Sequence, residues 1–173
     1  VNTLSELAQI YERTGHRAWA RPLLERVVRA QPTHAEAWVD LSMVQPDPDE
    51  ALASLDRALQ LNPGMRRAYK RRCTVLARAE RPEGVDACTR AMEAAPSDPW
   101  MQMQRGLAHY HQGDDEAALQ DMNAALERRP RDPVMLVNRY FVLEHAGRTA
   151  EAQADLRVAC DLGHEPACSE LVD

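Results

Sequence analysis

Five of the eight residues in RRAYKRRC, positions 66–73, are cationic, in a chain with 21 Lys and Arg, 27 Asp and Glu, and a formal net charge of −6. Lys70 is its only lysine. Such a run can face phosphates, solvate a helix or floor a binding site, and the direction of each side chain decides which. Other chemistry is sparse. His109 and His111 in HYH resemble a metal pair, but side chains two apart on a helix diverge by about 200° and cannot face one ion. Asp114 and Asp115 are adjacent acids beside a turn, and the expected role is helix capping rather than acid–base catalysis. No glycine-rich phosphate loop is present, and no Ser or Thr sits in a nucleophile-elbow context. The expectation is therefore no catalytic residue, no cofactor, no metal site and no enzyme.

The elements that position these residues follow from composition and period. The chain has 173 residues, 45% hydrophobic but only 5% aromatic, dominated by the helix formers Ala, Leu, Arg and Glu. No stretch approaches the roughly 18 continuous apolar residues of a membrane helix. The opening VNTLSELAQIYERTG is amphipathic and acidic, without the basic head and apolar run of a secretory leader. An acidic balance argues against bulk binding to nucleic acid or anionic lipid. Almost lysine-free use of arginine suggests a GC-rich bacterial source.

APSDPW at 95–100 and RPRDPV at 129–134 carry the same prolines 34 residues apart. In each, an aspartate (Asp98, Asp132) stands before a proline at the first helical position, which is a helix start. After each follow a helix, a turn with glycine (Gly113, Gly147) and a second helix. The same frame runs through the rest of the chain, closing at Pro32, Pro63 and Pro96. In the second copy VQPDPDEA ends the first helix early, with Asp47 capping the next. In the third, Pro82 stands in the turn in place of glycine.

Five helix–turn–helix copies at this period resemble the tetratricopeptide repeat family. The matching residues are the early pairs Leu7–Ala8 and Leu41–Ser42 with Gly106; the small residue opening the second helix, Ala20, Ala51, Gly84, Ala118 and Ala152; and the later position Val27, Ala58, Ala91, Ala125 and Ala159. The resemblance implies an all-α, right-handed superhelical array forming one domain over 1–173. Its repeats are 1–34, 35–65, 66–98, 99–132 and 133–164, with a capping helix at 165–173.

The four cysteines form two local pairs, Cys73 with Cys88 and Cys160 with Cys168. The first lies symmetrically about the turn near Glu80 and Arg81; the second links a helix end to the terminal cap. The second spacing resembles the helix-bridging disulfides of cysteine-rich secreted relatives, and implies a periplasmic or otherwise extracytoplasmic location. Four cysteines can connect in three ways, and buried free thiols in a cytoplasmic protein are the alternative.

In each first helix the core stripe occupies repeat positions 4, 7, 8 and 11, by the 100° step of a helix. In tetratricopeptide repeats the opposite face lines a groove for peptides. That implies Arg67, Lys70, Arg71, Thr74 and Arg78 from the third repeat, and Trp100, Met103, Gln104, Leu107, Tyr110 and His111 from the fourth. The fifth supplies Val134, Val137, Asn138, Phe141, Glu144 and His145. The first two add the more polar Ser5, Glu6, Gln9, Glu12, Val39, Asp40 and Met43. His111 and His145 fall at equivalent positions, but a zinc site there needs two more ligands; solvated histidines are expected. Part of the apolar stripe can instead be core between repeats. Arg67 and Arg71 match the basic pair of the chaperone-tail carboxylate clamp, whereas Ser5, Gln9 and Asp40 do not match its other positions. Arg105 with Asp121, and Arg139 with Asp155, are expected ion pairs sixteen residues apart. For Arg72 the nearest candidate is Asp86.

The resulting functional expectation is a non-enzymatic adaptor in a bacterial envelope assembly or maturation system. It would dock a peptide or helix of a partner protein through apolar and aromatic anchors plus a carboxylate, with no nucleic acid and no membrane insertion. A scaffold that self-associates through its apolar face, or a recruiting arm of an enzyme, are the alternatives.

Overall fold

The computed structural model describes residue 14, residues 16–96 and residues 98–171. Ser5, Glu6, Gln9 and Glu12 of the expected groove, and the Leu7–Ala8 pair, lie outside the described residues. Ten helices and no strand occur among those described: α1 (Arg17–Ala30), α2 (Ala35–Val44), α3 (Pro48–Leu61), α4 (Arg66–Arg78), α5 (Gly84–Ala94), α6 (Pro99–His111), α7 (Asp115–Arg128), α8 (Pro133–His145), α9 (Thr149–Asp161) and α10 (Glu165–Glu170). The chain divides into two compact units, Val1–Val75 and Leu76–Asp173, the division falling inside α4.

Helix starts follow the capping chemistry. Asp47 accepts from the amides of Asp49 and Glu50, Asp98 from Trp100, and Asp132 from Val134 and Met135, each followed by proline in the first turn. Asp114 accepts from the amide of Ala117, so that acid caps α7. Histidine does the same work at two starts that aspartate patterning misses: His34 Nδ1 accepts from Ala37 at 3.1 Å, and His164 Nδ1 from Ala167 at 3.2 Å.

Helix ends use the left-handed conformation. Gly113, Gly147 and Gly163 have φ of 79°, 73° and 85°, where a glycine carries no Cβ penalty. In the third repeat this place is taken by Glu80, at φ 53°. The early break in the second repeat is present too: α2 stops at Val44.

In the first unit, α1 and α2 enclose Ala20, Leu24, Val27 and Leu41. Val39 of α2 packs with Ala51, Leu55 and Ala58 of α3, and with Met65, Ala68 and Val75. In the second, one cluster runs from Met103 through Ala118, Met122 and Ala125 to Val142, Leu156, Ala159 and Ala167. The repeated small positions among the described residues are all buried, because they are where paired helices touch. Gly106 shows how closely: a Cβ built there would lie 3.0 Å from the Ala118 carbonyl oxygen and 3.1 Å from Met122 Cγ.

Candidate functional site

The basic stretch lies on α4, and its side chains divide as helical spacing requires. Arg67 reaches back to α2, with ion pairs to Glu36 at 3.1 Å and to the buried Asp40 at 2.6 Å. Partial burial works against its charge, but Asp40 and Glu36 more than offset this and raise the Arg67 pKa. Arg71 donates to the Ser42 carbonyl at 2.9 Å, and Thr74 donates to the Lys70 carbonyl on its own helix. Arg72 is ion-paired with Asp56 of α3, sixteen residues earlier. In the second unit, Arg78 is exposed.

Both expected ion pairs of that unit form. Arg105 grips Asp121 through Nε and Nη2 at 2.7 and 2.6 Å, and Arg139 grips Asp155 at the same two distances. These are two-pronged guanidinium–carboxylate contacts against buried aspartates. The remaining guanidinium nitrogen turns to the preceding repeat: Arg105 to Thr89 Oγ1 at 3.4 Å, and Arg139 to Asn123 Oδ1 at 2.7 Å. With Arg72 and Asp56, every arginine at this repeat position reaches the residue sixteen before it. The forward half was legible from two recurring aspartates, whereas the backward half, to Asp, Thr or Asn, carries no single residue type to read.

The expected groove residues of α6 and α8 separate by depth. Met103 and Gln104 are only 1% and 3% exposed, so they belong to the core between repeats and offer no surface to a ligand. The cause is α8, whose Asn138 amide contacts Met103 Sδ at 3.5 Å while also donating to the Val134 carbonyl at 2.8 Å. Trp100, Leu107, Tyr110 and Val137 are partly buried against the same core. Phe141 and Val134 stay open, at 51% and 41% exposure. Phe141 meets Tyr140 edge-on, with ring centroids 5.0 Å apart, and Tyr110 meets His145 edge-on at 5.4 Å.

The two histidines do not share a ligand. His145 Nδ1 lies 2.7 Å from Asp115 Oδ2, and His111 Nδ1 3.7 Å from Glu80 Oε1. No group of three or more metal-binding side chains occurs among the described residues. A separate depression is walled by Asp115, Glu116, Asn123 and Arg148 and contains none of the expected groove residues. Arg148 is held there by Glu151 at 2.7 Å, and that contact lowers the Glu151 pKa.

The cysteines are all oxidised. Cys160 and Cys168 are bonded to each other, with Cα atoms 4.7 Å apart; Cys73 and Cys88 are disulfide-bonded as well, and no free cysteine occurs among the described residues. No helix among the described residues is long and apolar enough to cross a membrane.

Solved structures share this architecture. The chain is similar to MamA 41-end from Desulfovibrio magneticus RS-1, with a TM-score of 0.81 at 18% identity, covering 95% of each chain. It is similar to MamA AMB-1, at TM-score 0.76 and 20% identity, over 94% of this chain and 98% of that one. It also resembles YrrB, described as a TPR protein with an unusual peptide-binding site, at TM-score 0.71 and 19% identity, over 96% and 89%. No curated protein matches in sequence. A family model described as Tetratricopeptide repeat matches residues 5–64 and 74–133. With that match over most of its length and with the helix pairs, caps and buried small positions above, this chain belongs to the tetratricopeptide repeat family.

Proposed function

We propose that the protein is a non-enzymatic interaction module that docks a peptide or helix of a partner protein on the apolar face of α6 and α8. The observation that carries this reading is Phe141, half exposed and flanked by the open Val134. An aromatic ring left open on α8, in a unit whose Leu107, Tyr110 and Val137 are only partly buried, is the composition of a contact surface rather than of a solvated helix. The peptide-binding site of YrrB, a structural neighbour, supports the same class of ligand. Oxidised cysteines favour an extracytoplasmic compartment, consistent with a role in bacterial envelope assembly or maturation.

Within the first unit, Arg67, Lys70 and Arg71 remain the candidates for a carboxylate. A carboxylate reaching Arg67 must compete with Glu36 and Asp40. Reversing Arg67 to Glu is a poor test of binding, because it strips the buried Asp40 of its cation.

The test is a displayed library of random peptides panned on the oxidised chain and on Phe141→Asp. Enriched peptides should carry aromatic or aliphatic anchors and weaken on the variant by about 1–3 kcal/mol. Binders indifferent to Phe141→Asp, or no enrichment at all, would overturn the assignment. Mass measured across a concentration series addresses the self-association alternative: a Phe141-dependent rise in mass makes a second copy the ligand.

A further inference from the structure

We infer that the Cys160–Cys168 disulfide is a redox latch, and that its reduction releases α10 from α9. α10 is only six residues long, Glu165–Glu170, far below the roughly 12–15 residues at which an isolated helix becomes even marginal in water. It therefore exists only while docked. Its own apolar contribution is small: Ala167 is buried, and Leu171 packs partly against the cluster that holds Tyr140, Leu156 and Ala159. Besides these contacts it is held by the His164 cap on the Ala167 amide, the His164 amide donating to the Ala159 carbonyl at 3.1 Å and the bridge to the last turn of α9.

The bridge is reachable. Cys168 is exposed and Cys160 partly so, so a thiolate can approach the sulfur of Cys168. A dithiol reductant forms a mixed disulfide with Cys168 and expels the Cys160 thiolate. Its second thiol then resolves the mixed disulfide, leaving two protein thiols and an oxidised reductant, with the protonation of Cys160 and Cys168 balanced by the two protons the dithiol gives up. Without the covalent tie, the short helix loses the restraint that offsets its ordering entropy.

Release uncovers Ala159 and opens the cluster at Tyr140. Tyr140 shares that cluster with Ala159 and Ala167 of α9 and α10, and burial, with the charges of Glu170 and Glu144 after it, pushes its phenol up. Tyr140 in turn touches Phe141. If the docking reading above holds, reduction enlarges the docking face; the experiment below reads release itself and is independent of docking.

Amide hydrogen exchange is measured on three samples: the oxidised chain, the folded chain reduced with dithiothreitol, and Cys160→Ser/Cys168→Ser, which leaves Cys73 and Cys88 untouched. Alkylation and mass mapping report which thiols have opened. In the reduced and double-serine samples, amides of residues 167–171 should exchange faster by about 30-fold or more, the scale of a short disulfide loop, while α6–α8 keep their protection. Protection of 167–171 within about twofold of the oxidised chain in the double-serine protein overturns the latch. So does an equal loss of protection across α6–α9 in that variant, which would make the bridge a global staple rather than a local release.

Discussion

α6 and α8 are the same helix one repeat apart, yet they meet different surroundings. Met103 in α6 corresponds to Val137 in α8, Gln104 to Asn138, and Leu107 to Phe141. The α6 residues lie under the following repeat, with Met103 and Gln104 buried and Leu107 packed against the core. On α8, Asn138 is partly open and Phe141 half exposed. A position in the repeat frame thus does not fix a residue as ligand-facing or core-facing. What fixes it is the neighbour that packs on it, as Asn138 of α8 does on Met103 of α6. Gly106 and Tyr140 show the same asymmetry: glycine lets α6 close on α7, while the equivalent tyrosine joins the buried cluster shared with α9 and α10.

The largest effect should come from the buried member of the pair. Met103→Ala is expected to cost about 2–4 kcal/mol of folding stability, through lost burial and the cavity left behind. Phe141→Ala on α8 should change stability by less than about 0.5 kcal/mol. Denaturant melts of the two variants measure the contrast, and equal losses would break the distinction drawn between the helices.

The ion pairs sharpen the comparison from the other side, since they should not differ. Asp121→Ala and Asp155→Ala each leave an arginine that is about three-quarters covered without its carboxylate. Each is expected to cost about 2–3 kcal/mol, below the full buried-pair range because the guanidinium keeps some water. A difference of more than about 1 kcal/mol between the two would show that the repeats do not use their shared arginine alike.

The smallest effect concerns close approach. Gly106→Ala should destabilise by about 1 kcal/mol although alanine is the better helix former, because its Cβ would press on the Ala118 carbonyl, which is backbone and cannot swing aside. A stabilised variant would mean that α6 and α7 can separate freely, and that the glycine is there for another reason.

What could be read from the sequence is what depends on neighbours along one helical hairpin. The prolines at a fixed interval, the Asp–Pro starts, the small residues at helix contacts and the Arg–Asp pairs all involve atoms brought together by one turn of chain. Local geometry alone sets those distances. The aspartate rule also missed its equivalents, because an imidazole nitrogen at His34 or His164 accepts the same amide. Glu80 in the left-handed position was hidden for a similar reason, since composition marks that conformation by glycine.

Contacts between repeats were not legible in the same way. That Arg67 answers Glu36 and Asp40, that Arg139 reaches back to Asn123, and that Met103 sits under Asn138 depends on how one hairpin stacks on the next. The sequence by itself determined the repeat, its capping and its internal ion pairs, because each is an interaction of short range along the chain. Only the tertiary structure decided which apolar residues of the shared face became core and which stayed open. Burial is a property of the neighbour that arrives, and identical repeat positions acquire different neighbours.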